Sequence, residues 1–144
     1  MILQFMNFMN HLEKDYQKIV NELSEEFRLK PVQIDILLFL ANNPEYKTAQ
    51  AIVGVRKIAK SHASLAIKEL CDQGYLEKVI NPNNKKENLL MILEKSNTVI
   101  KNGQNRQKDF FEKVFKGLNS NQLTQLNRSI SIMTSNLNKG DRNE

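Results

Sequence analysis

The sequence predicts a mainly α fold with one small β-hairpin, and three observations carry that reading. A short helical stretch, Thr48 to Val53, is separated by Gly54 and the basic turn Val55-Arg56-Lys57 from a second one, Lys60 to Asp72. Gly74 follows where a helix end favours a left-handed residue, and two strand candidates, Tyr75–Ile80 and Leu89–Leu93, come next. Long helical patterns flank this block on both sides. Helix, turn, helix and hairpin in this order describe a winged helix-turn-helix, set here between N- and C-terminal helices.

In the first segment Leu3, Met6, Tyr16, Ile19, Val20, Leu23 and Phe27 recur at helical intervals, with Met9 and Leu12 near the same seam. Phe5 and Phe8 add apolar surface that a small domain cannot wholly cover, so a second chain is expected to meet part of it. Lys30-Pro31 ends this helix, because proline disfavours helical geometry before it and suits the first position of the next one. That next helix, about Pro31 to Ala41, carries Val32, Ile34 and Ile36 to Leu40. Apolar almost all round, it belongs in the core until Asn42-Asn43-Pro44 stops it.

Thr48 is the natural N-cap of the short helix after it. In the following helix Ala59, Ala63, Ala66, Ile67 and Leu70 share one small apolar face, which permits close packing, while Lys60, Ser61, His62, Ser64, Leu65 and Lys68 point elsewhere. Hydroxyl, imidazole and ammonium groups on an outer helix face are the donors and acceptors that reach base edges and phosphates from the major groove. The segment Asn81 to Asn88 reads as a polar turn with a basic tip. Glu94 to about Gly117 reads as a long helix, polar from Lys101 to Asp109 and apolar near its end at Phe110, Phe111, Val114 and Phe115, the pattern of a strut. Asn119-Ser120 supplies a cap for a last helix from Gln122 to Leu137, with Leu123, Leu126, Ile130, Met133 and Leu137 at three- and four-residue steps; Asn138 to Glu144 reads as frayed.

A chain of 144 residues suits one domain, able to bury roughly two-thirds of its extended surface. The net charge of +5 is weak information, but its location is not. From Gly54 to Lys68 there are four basic residues and no acidic one, whereas Met1 to Lys30 holds four basic against five acidic. One cysteine excludes an intramolecular disulfide and a cysteine-based metal cluster, and fits a reducing cytoplasm. The apolar start lacks a preceding basic region and is interrupted by Gln4, Asn7 and Asn10, so neither a signal peptide nor a membrane span is expected.

At the end of the second helix of this block stand Leu70, then Cys71-Asp72-Gln73, then Gly74. On this ending the chain resembles the MarR family of bacterial transcriptional regulators, whose recognition helix closes in a similar way. Asn84-Lys85-Lys86 stands at the position of its Asp-Arg-Arg wing tip, and Leu93-Glu94-Lys95-Ser96 at its Thr-Glu-Lys-Gly helix start. Asn84 thus replaces an acid, lysines replace both arginines and their planar fork, Ser96 replaces glycine, and Leu65 stands where arginine is common. The resemblance implies a single domain over residues 1–144, with winged helix-turn-helix 31–93 and dimerisation helices 1–30 and 94–138. It implies a homodimer on an inverted repeat of double-stranded DNA, and a small-molecule effector in a crevice between dimer helices and winged helix.

Within that frame Ser61, His62, Ser64 and Lys68 are the base-reading candidates, and Leu65, which cannot donate a hydrogen bond, can pack on a thymine methyl. Arg56, Lys57 and Lys60 are placed on the phosphate backbone, and Asn84, Lys85 and Lys86 on the minor groove. His62 otherwise is a solvated surface histidine, Lys85 and Lys86 otherwise a solvated turn. Cys71, beside Leu70, reads as a small packing residue rather than a redox sensor; His11 has no role, and Glu25-Glu26 is a solvated pair. No nucleophile motif or phosphate loop is present, so no enzyme activity, cofactor or metal is expected. The alternative use of the same fold is a winged-helix module that binds protein instead of specific DNA.

Overall fold

The computed structural model describes residues 1–142, with side chains for residues 1–140. Six helices flank one antiparallel hairpin: α1 (Ile2–Phe27), α2 (Pro31–Asn42), α3 (Ala49–Gly54), α4 (Lys60–Asp72), β1 (Leu76–Asn81), β2 (Asn84–Ile92), a 3-10 turn (Glu94–Ser96), α5 (Asn97–Val114) and α6 (Ser120–Arg142). The chain forms two compact units, Met1–Lys108 and Asp109–Glu144.

In the first unit, α1 ends at Arg28, whose φ of 54° lies in the left-handed region and returns its N–H to the Ser24 carbonyl. The Ser24 hydroxyl donates to the Leu29 carbonyl, and Leu29 is buried. Lys30 is extended, as the residue before Pro31 should be, and its N–H donates to Gln33 Oε1 at 2.8 Å. The core is built around α2, where Ile34, Ile36 and Leu37 have no exposed surface. Around it close Val20 and Leu23 of α1, Ile52 of α3, Ala63, Ala66, Ile67 and Leu70 of α4, Leu76 and Leu90 of the hairpin, and Val99 and Ile100 of α5. Each large aliphatic side chain so buried contributes about 1.5–3 kcal/mol, and together they fix α4 with its other face outward.

A polar clamp holds α4 to α2. Gln33, only 1% exposed, donates through Nε2 to Glu69 Oε2 at 2.9 Å, and Lys30 Nζ approaches Glu69 Oε1 at 2.9 Å. The buried amide therefore has both its ends satisfied. The Thr48 hydroxyl accepts the Ala51 N–H at 3.1 Å, the N-cap that its sequence position demands.

Four expectations need correction. The wing strand β2 starts at Asn84, not Leu89, so the turn shrinks to Pro82-Asn83 and Lys85 and Lys86 lie in a strand. Asn81 pairs with Asn84 and Ile80 with Asn88, so Lys85, Lys86 and Glu87 form an irregular insertion in the ladder. Ala59 is exposed as the N-cap of α4 instead of sharing its buried face. The long helix after the wing opens with a 3-10 turn, and its polar middle is no free strut. There Gly103 is buried against Leu38, Arg106 Nη1 contacts Glu22 at 2.6 Å, and Gln107 Nε2 donates to the Tyr16 hydroxyl at 2.7 Å. Helix α6 runs through Arg142 rather than fraying from Asn138; the last two residues of that expectation, 143 and 144, lie outside the described residues.

Among the described residues the second unit is helical. Phe111 stacks on Phe115 with ring centroids 5.8 Å apart, and Gly117, at φ 94°, turns the chain. Asn119 and Gln122 then exchange hydrogen bonds at 2.8 and 2.9 Å, a reciprocal cap that starts α6.

Candidate nucleic-acid interface

Burial of Ala63, Ala66, Ile67 and Leu70 leaves Lys60, Ser61, His62, Ser64, Leu65 and Lys68 exposed on the opposite side of α4. Spacings of three, four and seven residues put Ser61, Ser64, Leu65 and Lys68 on one continuous stripe. Ala59 offers no side-chain cap and the first turn holds no acid, so the leading N–H groups of α4 and the positive end of its dipole are available to an anion. That end of the helix suits a phosphate oxygen.

The α3–α4 turn presents the cations. Ile58, half-buried, ties the turn to the core, and Lys57 takes a left-handed φ of 63°, a conformation costing a non-glycine residue on the order of 1–2 kcal/mol. Arg56 is partly committed: its guanidinium lies 3.6 Å from the Asp35 carboxylate of α2. Burial pushes the Asp35 carboxyl above its ordinary range and Arg56 only partly offsets this. Lys68 is also paired, with Asp72 at 3.0 Å one turn further along α4, so reaching a base requires it to leave that partner. Because both groups of this last pair are well exposed, the pairing is weak. Lys60, Lys85 and Lys86 are exposed.

On the wing, Asn81 Oδ1 accepts the Asn83 N–H at 3.0 Å and Asn84 Oδ1 accepts the Lys86 N–H at 3.2 Å, while Asn81 Nδ2 donates to Glu87 at 3.1 Å. These contacts fix where Lys85 and Lys86 emerge, so Asn84 acts at least as a turn former. A surface groove between the start of α3 and the wing is lined by Thr48, Gln50, Lys78, Asn84, Lys86 and Asn88. Lys78 and Gln50 are additions that the sequence reading missed. Strand alternation was the available signal: Lys78 is in register with Leu90, whose N–H is held by the Lys47 carbonyl at 2.7 Å beside α3.

The remaining candidates are explained by packing or by ion pairs. Cys71 is half-buried and burial raises its thiol above the ordinary value, with Lys78 opposing, as expected of a packing residue with little thiolate. His11 lies 3.4 Å from Asp15 on α1, and Glu26 lies 3.4 Å from Arg106. Among the described residues no group of His, Cys, Asp and Glu could hold a metal ion, and no helix is long and apolar enough to cross a membrane.

Residues 29–87 match the model of the MarR family. No curated protein matches the chain. Solved structures share the fold over nearly the whole length. One, from Listeria monocytogenes, is described as a MarR family transcriptional regulator complexed with 26mer DNA; it is 23% identical, covers 92% of this chain and 87% of its own, and superposes with a TM-score of 0.79. A SlyA-like transcription regulator, also from Listeria monocytogenes, is 24% identical over 91% of this chain and 87% of its own, with a TM-score of 0.74. A MarR transcriptional regulator from Methanosarcina mazei is 18% identical over 94% and 96%, with a TM-score of 0.72.

Proposed function

We propose that this chain, which carries the MarR-family winged helix-turn-helix, is a cytoplasmic, sequence-specific DNA-binding transcriptional regulator without enzymatic activity, acting as a homodimer on an inverted repeat. The observation that carries the reading is the exposed, acid-free stripe from Lys60 to Lys68 on a helix whose N-terminus is uncapped. Lys57 and Lys60, with Arg56 beside them, hold the phosphates; Ser61, His62, Ser64 and Lys68 face the base edges; Lys85 and Lys86, with Lys78, set the wing along the backbone and minor groove. The relative from Listeria monocytogenes solved with a 26mer DNA supports the same partner here.

Helices 1–30 and 94–138 are assigned to dimerisation. Two copies related by a two-fold axis would touch half-sites with centres about 10 base pairs apart. A small-molecule effector regulates such a dimer only by binding one separation of the two reading heads better than another. Val79 and Met91, exposed apolar side chains at diagonal positions on the two strands of the wing, favour the second reading, a protein-binding module.

A salt titration separates the two. Duplexes selected by the protein from a randomised library should bind 10³-fold or more tighter than random DNA, with both affinities falling as salt rises. Equal, weak binding to both duplexes would hand the case to the protein-binding reading.

A further inference from the structure

The outward stripe of α4 contains one apolar side chain among polar ones. Leu65 is 52% exposed, one turn from Ser61 on one side and from Lys68 on the other. Packing does not explain it, because the buried face of this helix is complete with Ala63, Ala66, Ile67 and Leu70. Nor does this surface suit an apolar protein partner: the turn and helix from Gly54 to Lys68 hold four basic residues and no acidic one, and the exposed acid beyond them on α4, Asp72, is paired with Lys68. The same surroundings suit a polyanion.

The stripe is also poor in groups that discriminate between bases. A serine hydroxyl donates or accepts and so tolerates several bases, the imidazole of His62 offers single hydrogen bonds and no fork, Lys68 is a flexible point charge that first leaves its weak pair with Asp72, and no arginine fork stands on the stripe to select guanine. The thymine C5-methyl is the apolar group that a major-groove base edge presents. We propose that Leu65 is the principal specificity residue of this protein and reads the C5-methyl of one thymine in each half-site. This inference rests on the DNA-binding reading above.

The probe is the tightest duplex that the unaltered protein selects from a randomised library, with each thymine replaced singly by deoxyuridine, which removes the methyl and nothing else. At one thymine per half-site the replacement weakens binding by about fourfold, the equivalent of one methyl-sized apolar contact. Leu65→Ala binds the thymine duplex more weakly and is indifferent to uracil at that position. Leu65→Arg, put through the same selection, shifts that position toward guanine. Since Leu65 is exposed, both variants fold, which circular dichroism checks. If the unaltered protein prefers its selected duplex over random DNA yet ignores every uracil, or if Leu65→Ala keeps the uracil sensitivity, the inference is overturned and the DNA-binding reading stands. If selection yields no preferred duplex, both fall.

Discussion

Asp35 shows how a residue can tie down the α3–α4 turn at the expense of stability. Its carboxyl faces Arg56 across 3.6 Å, yet burial outweighs that partner and raises its pKa above 3.8. The folded state therefore binds the Asp35 proton more tightly than the unfolded chain does. Between the ordinary and the raised value stability falls as pH rises, and at neutral pH the ionised group is a net cost. Asp35→Asn is thus expected to melt higher than the unaltered protein near neutral pH, with the advantage shrinking as pH drops toward the ordinary carboxylate value. Melting curves at both ends of that window check the sign. The same variant releases Arg56 toward solvent, so its salt slope on DNA should steepen by up to about one unit. Arg56 was legible as a cation on the right turn, but its partner was not, because Asp35 lies on a helix whose pattern said only that it was buried. The clamp of Gln33 to Glu69 was equally hidden: two ordinary polar letters 36 positions apart become a buried pair only once α2 and α4 cross.

Among the elements, α5 departs furthest from its sequence pattern. A polar run from Lys101 to Asp109 reads as solvated, but Asn102, Gly103, Arg106 and Gln107 turn inward: Arg106 pairs with Glu22 and Glu26 of α1, Gln107 bonds to Tyr16 of α1 and Asn42 of α2, Gly103 packs on Leu38 of α2, and Asn102 accepts from Arg106 within α5 itself. Gly103 was the clue, since a glycine in a helix interior costs about 1 kcal/mol unless close approach requires it. A Cβ there would sit 2.6 Å from Leu38 Cδ2, and Leu38, 3% exposed, could make room only by repacking against its core neighbours. Overpacking costs about 1–3 kcal/mol against the roughly 1 kcal/mol that alanine gains in helix propensity, so Gly103→Ala should lower the melting temperature by a few degrees. A rise would mean that α5 is not seated on α2. The wing shows the opposite error. Its second strand starts in Asn-Lys-Lys-Glu-Asn, residues depleted in strands, and side-chain bonds from Asn81 and Asn84 hold it there. Replacing Lys85 or Lys86 with alanine leaves those bonds intact, so selected and random DNA should weaken alike, with the salt slope reduced by about one unit per lost phosphate contact.

For the whole molecule, the order of elements and the polarity of α4 were readable because a period of 3.6 and a few caps dominate local structure, and the proposed assembly rests on what those helices leave uncovered. At the start of α1, Ile2, Leu3, Phe5, Met6, Phe8 and Met9 are all exposed, and so are Leu126, Ile130, Met133 and Leu137 of α6. The last four lie at steps of four, three and four residues, a single stripe, and Leu123 is the one position between 121 and 140 that is even half-buried. Single exposed apolar residues are ordinary, but a stripe of four along one helix, with a second apolar cluster on another, is the signature of an interface. A second copy is the economical occupant, because a two-fold axis matches each stripe with itself or with its counterpart. The chain of 16.7 kDa should therefore scatter light as a particle of twice that mass at micromolar concentration and physiological salt. Ile130→Glu with Met133→Glu places two carboxylates in each copy on that stripe, where isologous pairing brings like charges together without disturbing a buried residue. This double variant should run as a folded monomer with an unchanged helical spectrum, and it should lose most of its preference for an inverted repeat over a single half-site, since only a dimer gains from the second one. A variant that remains dimeric would move the interface off α6, and an unaltered protein that runs as a monomer would remove the two-fold model altogether.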